Sequence, residues 1–299
     1  MVNGLVIKYL QLTIKISTQV KLIAELGKVR ISLPIAFSSL TGYTLKTNHF
    51  DRDALMLMFG VFLMSCSSGA INHLQEYKTD ALMPRTKNRP IPSGKISPKA
   101  AFWIAFSFFA YGAFILIANF PILVFLTSLL TLISYNGIYT PLKKVTAFAV
   151  VPGSLVGALP PYIGWFAGNG DWTDPQMMWV ALFFFIGQIP HFWLLLLMFG
   201  KEYEHAGFPS LHTVFNDNQI KRLSFTWILA TIATALIVAM VVIQGSVMMF
   251  FLLMYIFYVL ISLSISMIIQ HDIKARPAFF KLNFLYLLMM IILIVDSIF

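Results

Sequence analysis

Oxygen-bearing side chains recur at every fourth position in the stretch NHLQEYKTD. Asn72, Glu76 and Asp80 are each separated from the next by four residues. If this stretch continues a helix, the three side chains lie along one face, with a rise of about 6 Å between neighbours. Oxygen ligands in such a row favour a hard cation, above all Mg²⁺, which often bridges carboxylates to phosphates. The alternative is a solvated helix end whose acids pair with Lys78 or Arg85.

A cationic loop follows this stretch. It contains Arg85, Lys87, Arg89 and Lys95 among several prolines and a glycine. Arginine and lysine side chains can neutralise a highly charged anion such as a diphosphate. Basic residues in a loop can equally set the orientation of a membrane protein. The residues alone leave both interpretations open.

Two further polar clusters repeat this chemistry. The stretch KEYEH, which contains Glu202 and Glu204, again places acids after a long apolar run. The stretch YNGIYTPLKK contains Tyr139 and Lys143, and a lysine can contact phosphate oxygens as a point charge. If the two acid clusters meet at one membrane face, they indicate a shared site for Mg²⁺ and a diphosphate.

The rest of the chain consists of apolar runs that must position these clusters. The 299 residues are 59% hydrophobic and 11% charged, and the mean hydropathy is +0.81. That is more apolar surface than a soluble core could bury, whereas ~20 apolar residues span a bilayer as a helix. The sequence therefore predicts an all-α polytopic membrane protein, a bundle of about nine transmembrane helices. The predicted spans are 29–47, 54–72, 100–120, 122–138, 146–167, 177–200, 223–243, 247–270 and 279–298.

The distribution of basic residues predicts the orientation of this bundle. With the N-terminus in the cytoplasm, only Lys46 and Arg52 fall on the outer side, as the positive-inside rule requires. Nine spans then place the C-terminus outside. Residues 1–28 form a cytoplasmic N-terminal segment of a single domain that covers 1–299.

The net charge of +9 is accounted for by membrane topology, so we expect the lipid bilayer and no nucleic acid as a partner. The single cysteine, Cys66, excludes an internal disulfide framework. No transit peptide is apparent. We therefore expect an integral protein of a bacterial inner (cytoplasmic) membrane, with the polar clusters facing the cytoplasm.

These motifs resemble those of the UbiA superfamily of intramembrane prenyltransferases. The resemblance rests on the acid stripe at the second helix, the acid cluster after the sixth, and a Tyr-x-x-x-Lys element between them. The stretches RTKNRPIPSGKISP, PPYIGW and IPHFW are similar, more narrowly, to the haem-modifying branch of that superfamily. The resemblance covers nearly the whole chain after residue 25.

The resemblance implies a reaction and a set of site residues. Farnesyl diphosphate would ionise with the help of Mg²⁺, and its farnesyl group would join a vinyl group of haem B to give haem O. The residues implied to hold Mg²⁺ and act in catalysis are Asn72, Glu76, Asp80 and Glu202. The residues implied to bind diphosphate are Lys28, Arg30, Arg85, Lys87, Arg89, Tyr139 and Lys143. Glu76 and Glu202 stand where the family usually has aspartate, so each charge is moved outward by one methylene.

His191 lies inside the predicted sixth span, in the stretch IPHFW. A histidine within a membrane is a functional candidate or a hydrogen-bonding bridge between helices, and the resemblance implies that this one binds haem.

Three alternatives remain open at this point, and one of them, a purely structural membrane subunit, would leave both acid clusters unexplained. Another UbiA-type transferase, acting on an aromatic acid or a chlorophyllide, would share both acid clusters. A secondary transporter would place charges near the bilayer midplane, whereas nearly every charge here lies at the predicted membrane rim.

Overall fold

The protein is described by a computed structural model that covers residues 17–269 and 273–299. These ranges contain a helix over 17–26 and nine longer helices, numbered α1 to α9 in chain order. The bounds of the long helices are α1 Val29–Thr47, α2 Arg52–Asp80, α3 Pro98–Asn119, α4 Ile122–Leu142, α5 Ala147–Ala167, α6 Pro175–His205, α7 Asp217–Val241, α8 Ser246–Ser264 and α9 Ala275–Ile298. The predicted all-α membrane architecture is confirmed.

Eight of the described helices, α2 to α9, are long and apolar enough to cross a membrane. The first predicted span, 29–47, is confirmed as a helix with those bounds. This helix is not among those apolar enough to count as a candidate membrane span. Buried serine and threonine side chains make up much of its packed face and lower its hydropathy. Residues 1–16 of the predicted cytoplasmic segment, and the predicted end of the eighth span at residue 270, lie outside the described residues.

α1 packs against α5 with the two backbones in direct contact. A Cβ atom added at Gly42 would lie 1.8 Å from the Pro161 carbonyl oxygen, and one added at Gly164 would lie 1.7 Å from that of Ser39. Small residues allow membrane helices to approach this closely. α1 also contacts α2 and α9. The close contact at Gly42 and Gly164 therefore fixes the position of α1 within the bundle.

Gly164→Ala is expected to destabilise the protein, because the new methyl group can be accommodated only if α1 and α5 move apart. Overpacking of this kind costs on the order of 3 kcal/mol. Thermal unfolding of the detergent-solubilised protein measures the effect. Gly137→Ala is the matched control, because the nearest atom to its new methyl group, Ile133 Cγ2, lies at 3.6 Å. Equal unfolding temperatures for the two variants would show that the α1–α5 contact contributes little.

α2 and α6 are longer than a bilayer requires. They contain 29 and 31 residues, which at 1.5 Å per residue corresponds to roughly 43 and 46 Å against a hydrocarbon core of about 30 Å. The predicted second span ended at residue 72, whereas α2 continues to Asp80. The C-terminal turns of α2 and α6 carry the two acid clusters, so both clusters lie on helices.

α4 changes geometry within its C-terminal half. Ile122–Ile133 is α-helical, Ser134–Tyr139 is a π-helix, and Thr140–Leu142 returns to α-helix. π-helical turns are rare and often occur at functional sites. Side-chain hydrogen bonds from this segment reach α2, so the irregular turn lies opposite the second half of that helix.

Candidate active site

The oxygen stripe predicted on α2 lies on one buried face of the helix. Asn72, Glu76 and Asp80 are 1%, 5% and 1% exposed, and all three line one cavity of about 120 Å³. The C-terminal end of a helix carries partial negative charge, which disfavours buried carboxylates there. Buried acids in this position require compensating cations.

Each carboxylate of the stripe is paired with a cation from another segment. Arg89, in the loop after α2, donates through Nη1 to both oxygens of Asp80 over 2.7 and 2.8 Å. Lys143, the residue after α4, places Nζ 2.6 Å from Glu76 Oε1. That oxygen receives no hydrogen bond of regular geometry, so the contact is an ion pair. Burial acts to lower the pKa of Lys143, but Glu76 together with Tyr139, Tyr135 and Tyr203 outweighs it and holds that pKa above its ordinary value.

Lys28 occupies the N-terminal end of the stripe. It precedes α1 in a left-handed backbone conformation, with φ of 49°, and its Nζ donates to Asn72 Oδ1 over 2.5 Å. Burial, together with the positive charges of Arg89 and Lys143, lowers the pKa of Lys28 to about 7. The cavity is therefore rich in positive charge, as a site for an anion would be.

The alternative in which Lys78 or Arg85 neutralises the acids is wrong, because other cations pair with them. Lys78 follows Glu76 by two residues, so it points away from the stripe and is exposed. Arg85 lines the cavity, but its guanidinium lies over the Phe199 ring, with 5.0 Å between Cζ and the ring centroid. The partners come instead from residues distant in the chain or beyond the end of α2.

Two tyrosines of the π-helical turn form one wall of the cavity. The rings of Tyr135 and Tyr139 are stacked, with centroids 5.7 Å apart. The Lys28 ammonium lies 6.0 Å from the Tyr135 centroid, and that of Lys143 lies 5.5 Å from the Tyr139 centroid. Such cation–π contacts steady a lysine without neutralising it. Tyr135 was not among the site residues predicted from the sequence, although its spacing of four from Tyr139 was a usable signal.

Apolar side chains from two loops cover the charged cavity. Met83, in the loop after α2, packs with Tyr203 at the end of α6 and with Phe208 in the loop after it. Met83 and Phe208 are 4% and 6% exposed. These side chains line the cavity on the side where the two loops meet.

A second, more apolar cavity adjoins the first. It has a volume of about 70 Å³ and shares Tyr139, Lys143 and Phe208 with the charged cavity. Leu195 and Leu196 of α6 line its remaining wall, together with residues of α5. The site therefore offers a polar compartment for charged groups beside an apolar compartment for hydrocarbon.

The chain matches the family model described as UbiA prenyltransferase family over residues 34–288. The chain belongs to this family. A relative from Oleidesulfovibrio alaskensis, named Protoheme IX farnesyltransferase, is 35% identical over 62% of this chain and 66% of its own length. A relative of the same name from Nitratidesulfovibrio vulgaris (strain DP4) is 31% identical over 75% of this chain and 78% of its own. The match thus covers slightly under two thirds of the first relative and over three quarters of the second.

Solved structures have the same fold as this UbiA family member. A UbiA homolog from Archaeoglobus fulgidus, bound to GPP and Mg²⁺, has a TM-score of 0.65 at 15% identity, covering 93% of this chain and 99% of that one. A structure from work on digeranylgeranylglyceryl phosphate synthase has a TM-score of 0.69 at 16% identity. The match covers 94% of this chain and 99% of that one. Identities this low establish the fold alone.

Several residues predicted to bind diphosphate line the charged cavity of this UbiA family member: Lys28, Arg85, Arg89, Tyr139 and Lys143. Arg30 and Lys87 are exposed and do not line it. Glu202, predicted to join the metal ligands, does not line it either, and its Oε2 atom is buried without a hydrogen-bond partner. The roles of these three residues stay predictions.

His191 lies on α6 where it packs against α9, and it does not line either cavity. Its ring packs on Phe279, with centroids 4.7 Å apart. Its Nδ1 atom is buried without a partner. The packing on α9 is compatible with either interpretation, the unpartnered nitrogen leaves a ligand position open, and haem binding stays a prediction.

The donor set of the stripe suits a hard cation. All three side chains offer oxygen, and each oxygen-bearing group already contacts a positive charge. Mg²⁺ prefers such oxygen ligands and retains several waters, so it needs few protein groups. Within the described part of the chain, no three His, Cys, Asp or Glu side chains converge closely enough to hold one metal ion. The two carboxylates and the Asn72 amide, which line one cavity, offer the oxygen donors that Mg²⁺ prefers.

Proposed function

We propose that this protein transfers the farnesyl group of farnesyl diphosphate to a vinyl group of haem B (protoheme IX), giving haem O. The observation that carries the proposal is the buried oxygen stripe, each member of which contacts a cation beside an apolar compartment. Membership of the UbiA family supports prenyl transfer. The relatives named Protoheme IX farnesyltransferase support haem as the acceptor.

The stripe supplies the metal ligands in this proposal. Asn72, Glu76 and Asp80, with Glu202, would hold Mg²⁺, which when bound stabilises the negative charge that develops on the departing diphosphate. The cations that now contact the stripe would turn to the diphosphate oxygens. The full set proposed to bind diphosphate is Lys28, Arg30, Arg85, Lys87, Arg89, Tyr139 and Lys143.

The apolar compartment protects the reactive carbon. The bond between the farnesyl C1 and the diphosphate oxygen breaks, and the allylic cation adds to the terminal carbon of the haem vinyl group. Water then adds to the resulting cation and loses a proton, leaving a hydroxyethylfarnesyl side chain. Leu195, Leu196 and Phe208 exclude water from the compartment, which prevents early quenching of the allylic cation.

Substrate binding must open the site. The two cavities, of about 120 and 70 Å³, are smaller than the roughly 300 Å³ at which small-molecule pockets begin. Met83 and Phe208 belong to the two loops that meet over the charged cavity. We propose that these loops separate to admit farnesyl diphosphate and that His191 contributes to haem binding from α6.

We propose a bacterial inner membrane, with the N-terminus and active site on the cytoplasmic side, the C-terminus outside, and one domain over 1–299. The positive-inside distribution of basic residues supports this orientation. Another UbiA-type acceptor, an aromatic acid or a chlorophyllide, is the runner-up. A transporter is disfavoured because the charged residues of the site cluster at the ends of α2 and α4.

Purified protein in detergent, given haem B, farnesyl diphosphate and Mg²⁺, is expected to produce haem O by mass spectrometry. EDTA is expected to abolish the product, and added Mg²⁺ to restore it, because the diphosphate departs poorly without a divalent cation. Prenylation of 4-hydroxybenzoate without any haem product would retain the family and reject the haem acceptor. Product formation that persists after chelation would reject the metal assignment.

A further inference from the structure

α2 and α4 are joined by a hydrogen-bond network centred on Asn136. Ser68 Oγ donates to Asn136 Oδ1 over 2.7 Å, and Asn136 Nδ2 donates to the Ser68 carbonyl and to Gln75 Oε1 over 3.0 and 3.1 Å. Gln75 Nε2 donates in return to the Asn136 carbonyl over 2.8 Å. Asn136 is 5% exposed. A buried amide with this many partners holds the π-helical turn of α4 in one register against α2.

Asn72 lies between the two anchors of this network. Ser68, Asn72 and Gln75 are at positions i, i+4 and i+7 of α2, so they lie on the same side of the helix. Thr140 follows Asn136 by one helical turn and therefore faces Asn72. Thr140 Oγ1 accepts a hydrogen bond from Asn72 Nδ2 over 3.1 Å. The register of α4 thus decides which group the Asn72 amide meets.

The contacts with Thr140 and Lys28 together hold the Asn72 amide in one orientation. A carboxamide has a donor nitrogen on one side and an acceptor oxygen on the other. Because Nδ2 faces Thr140, Oδ1 faces the cavity, where Lys28 Nζ donates to it over 2.5 Å. In its protonated form Lys28 has only donors, and its contact then pairs with oxygen on that side. A reversed amide would direct its N–H groups at any cation in the cavity.

We propose that Thr140 is a positioning residue for the active site and that Asn136 sets the register that places it. The Thr140 hydroxyl keeps the Asn72 oxygen turned into the cavity, where a hard cation can bind it. The inference rests on the proposed role of Asn72 as a Mg²⁺ ligand. It adds two residues of α4 that contact neither the metal nor the substrate.

Thr140→Val tests the inference, because it removes the hydroxyl and keeps the shape of a side chain that is 1% exposed. Mn²⁺ binding to the full-length protein in detergent is followed by electron paramagnetic resonance in the presence of inorganic pyrophosphate. The valine variant is expected to bind Mn²⁺ about ten- to a hundredfold more weakly than wild type. Thr140→Ser, which keeps the hydroxyl, is expected to bind it as wild type does. Thermal unfolding of each variant is measured in parallel.

Asp80→Asn is included to separate this inference from the proposed function. If wild type binds Mn²⁺, Asp80→Asn does not, and Thr140→Val binds as wild type does, the positioning role is overturned and the metal site stands. If Asp80→Asn binds as wild type does, the metal site is overturned and this inference with it. Equal weakening by valine and serine would also overturn the positioning role, because an effect independent of the hydroxyl is a packing effect.

Discussion

Asp80→Asn is expected to slow prenyl transfer by about 10³-fold, the upper range for loss of one electrostatic stabiliser in an active site. Asp80 is 1% exposed and offers two carboxylate oxygens to the cavity. Asparagine keeps the shape of the side chain but removes the charge that would hold Mg²⁺. Haem O formation under saturating farnesyl diphosphate and Mg²⁺ measures the change in kcat.

Asp53→Asn is the matched control for this substitution. Asp53 lies in the first turn of α2 and is exposed, so the same chemical change is made on the same helix far from the cavity. This variant is expected to keep the wild-type kcat. Size-exclusion chromatography and thermal unfolding confirm that both variants are folded. A folded Asp80→Asn variant with the wild-type rate would falsify the assignment of Asp80 as a metal ligand.

Arg89→Ala is expected to raise the KM for farnesyl diphosphate by about ten- to a hundredfold, the effect of losing one hydrogen bond to a charged group. The guanidinium lies beside Asp80, 22% exposed in its side chain, where it can turn from the carboxylate to a phosphate oxygen. The same variant leaves Asp80 without its cation. Binding of Mg²⁺ without diphosphate is therefore expected to tighten while diphosphate binding weakens.

Lys95→Ala is the control for the cationic loop. Lys95 lies in the same loop, is exposed and does not line the cavity, so its removal is expected to leave the KM unchanged. Arg89→Lys keeps the charge but loses the planar fork, and an intermediate KM is expected. If the rate of Arg89→Ala depends on farnesyl diphosphate concentration as the wild-type rate does, diphosphate binding by this loop is rejected. The loop would then serve membrane topology alone.

The features that depend on nearby residues could be predicted from the sequence. Helical bounds follow from apolar runs, because each backbone group in lipid must bond within its own helix. The stripe of Asn72, Glu76 and Asp80 follows from a spacing of four, because helical geometry alone places such residues on one face. The helical architecture and the placement of the stripe on one face were confirmed, although α2 and α6 extend beyond their predicted spans, and the family was recognised from motifs of the same local kind.

The pairing of the stripe was decided only by the tertiary structure. Lys28 is 44 residues from the amide it contacts, and Asn136 is 68 residues from Ser68. Such contacts depend on which helices pack together and in which register, and no local spacing encodes either. The sequence alone left Lys78 and Arg85 as partners for the acids and left Tyr135, Asn136 and Thr140 without a role. Side-chain chemistry and helical period determined which groups form the stripe, and helix packing determined what each group faces.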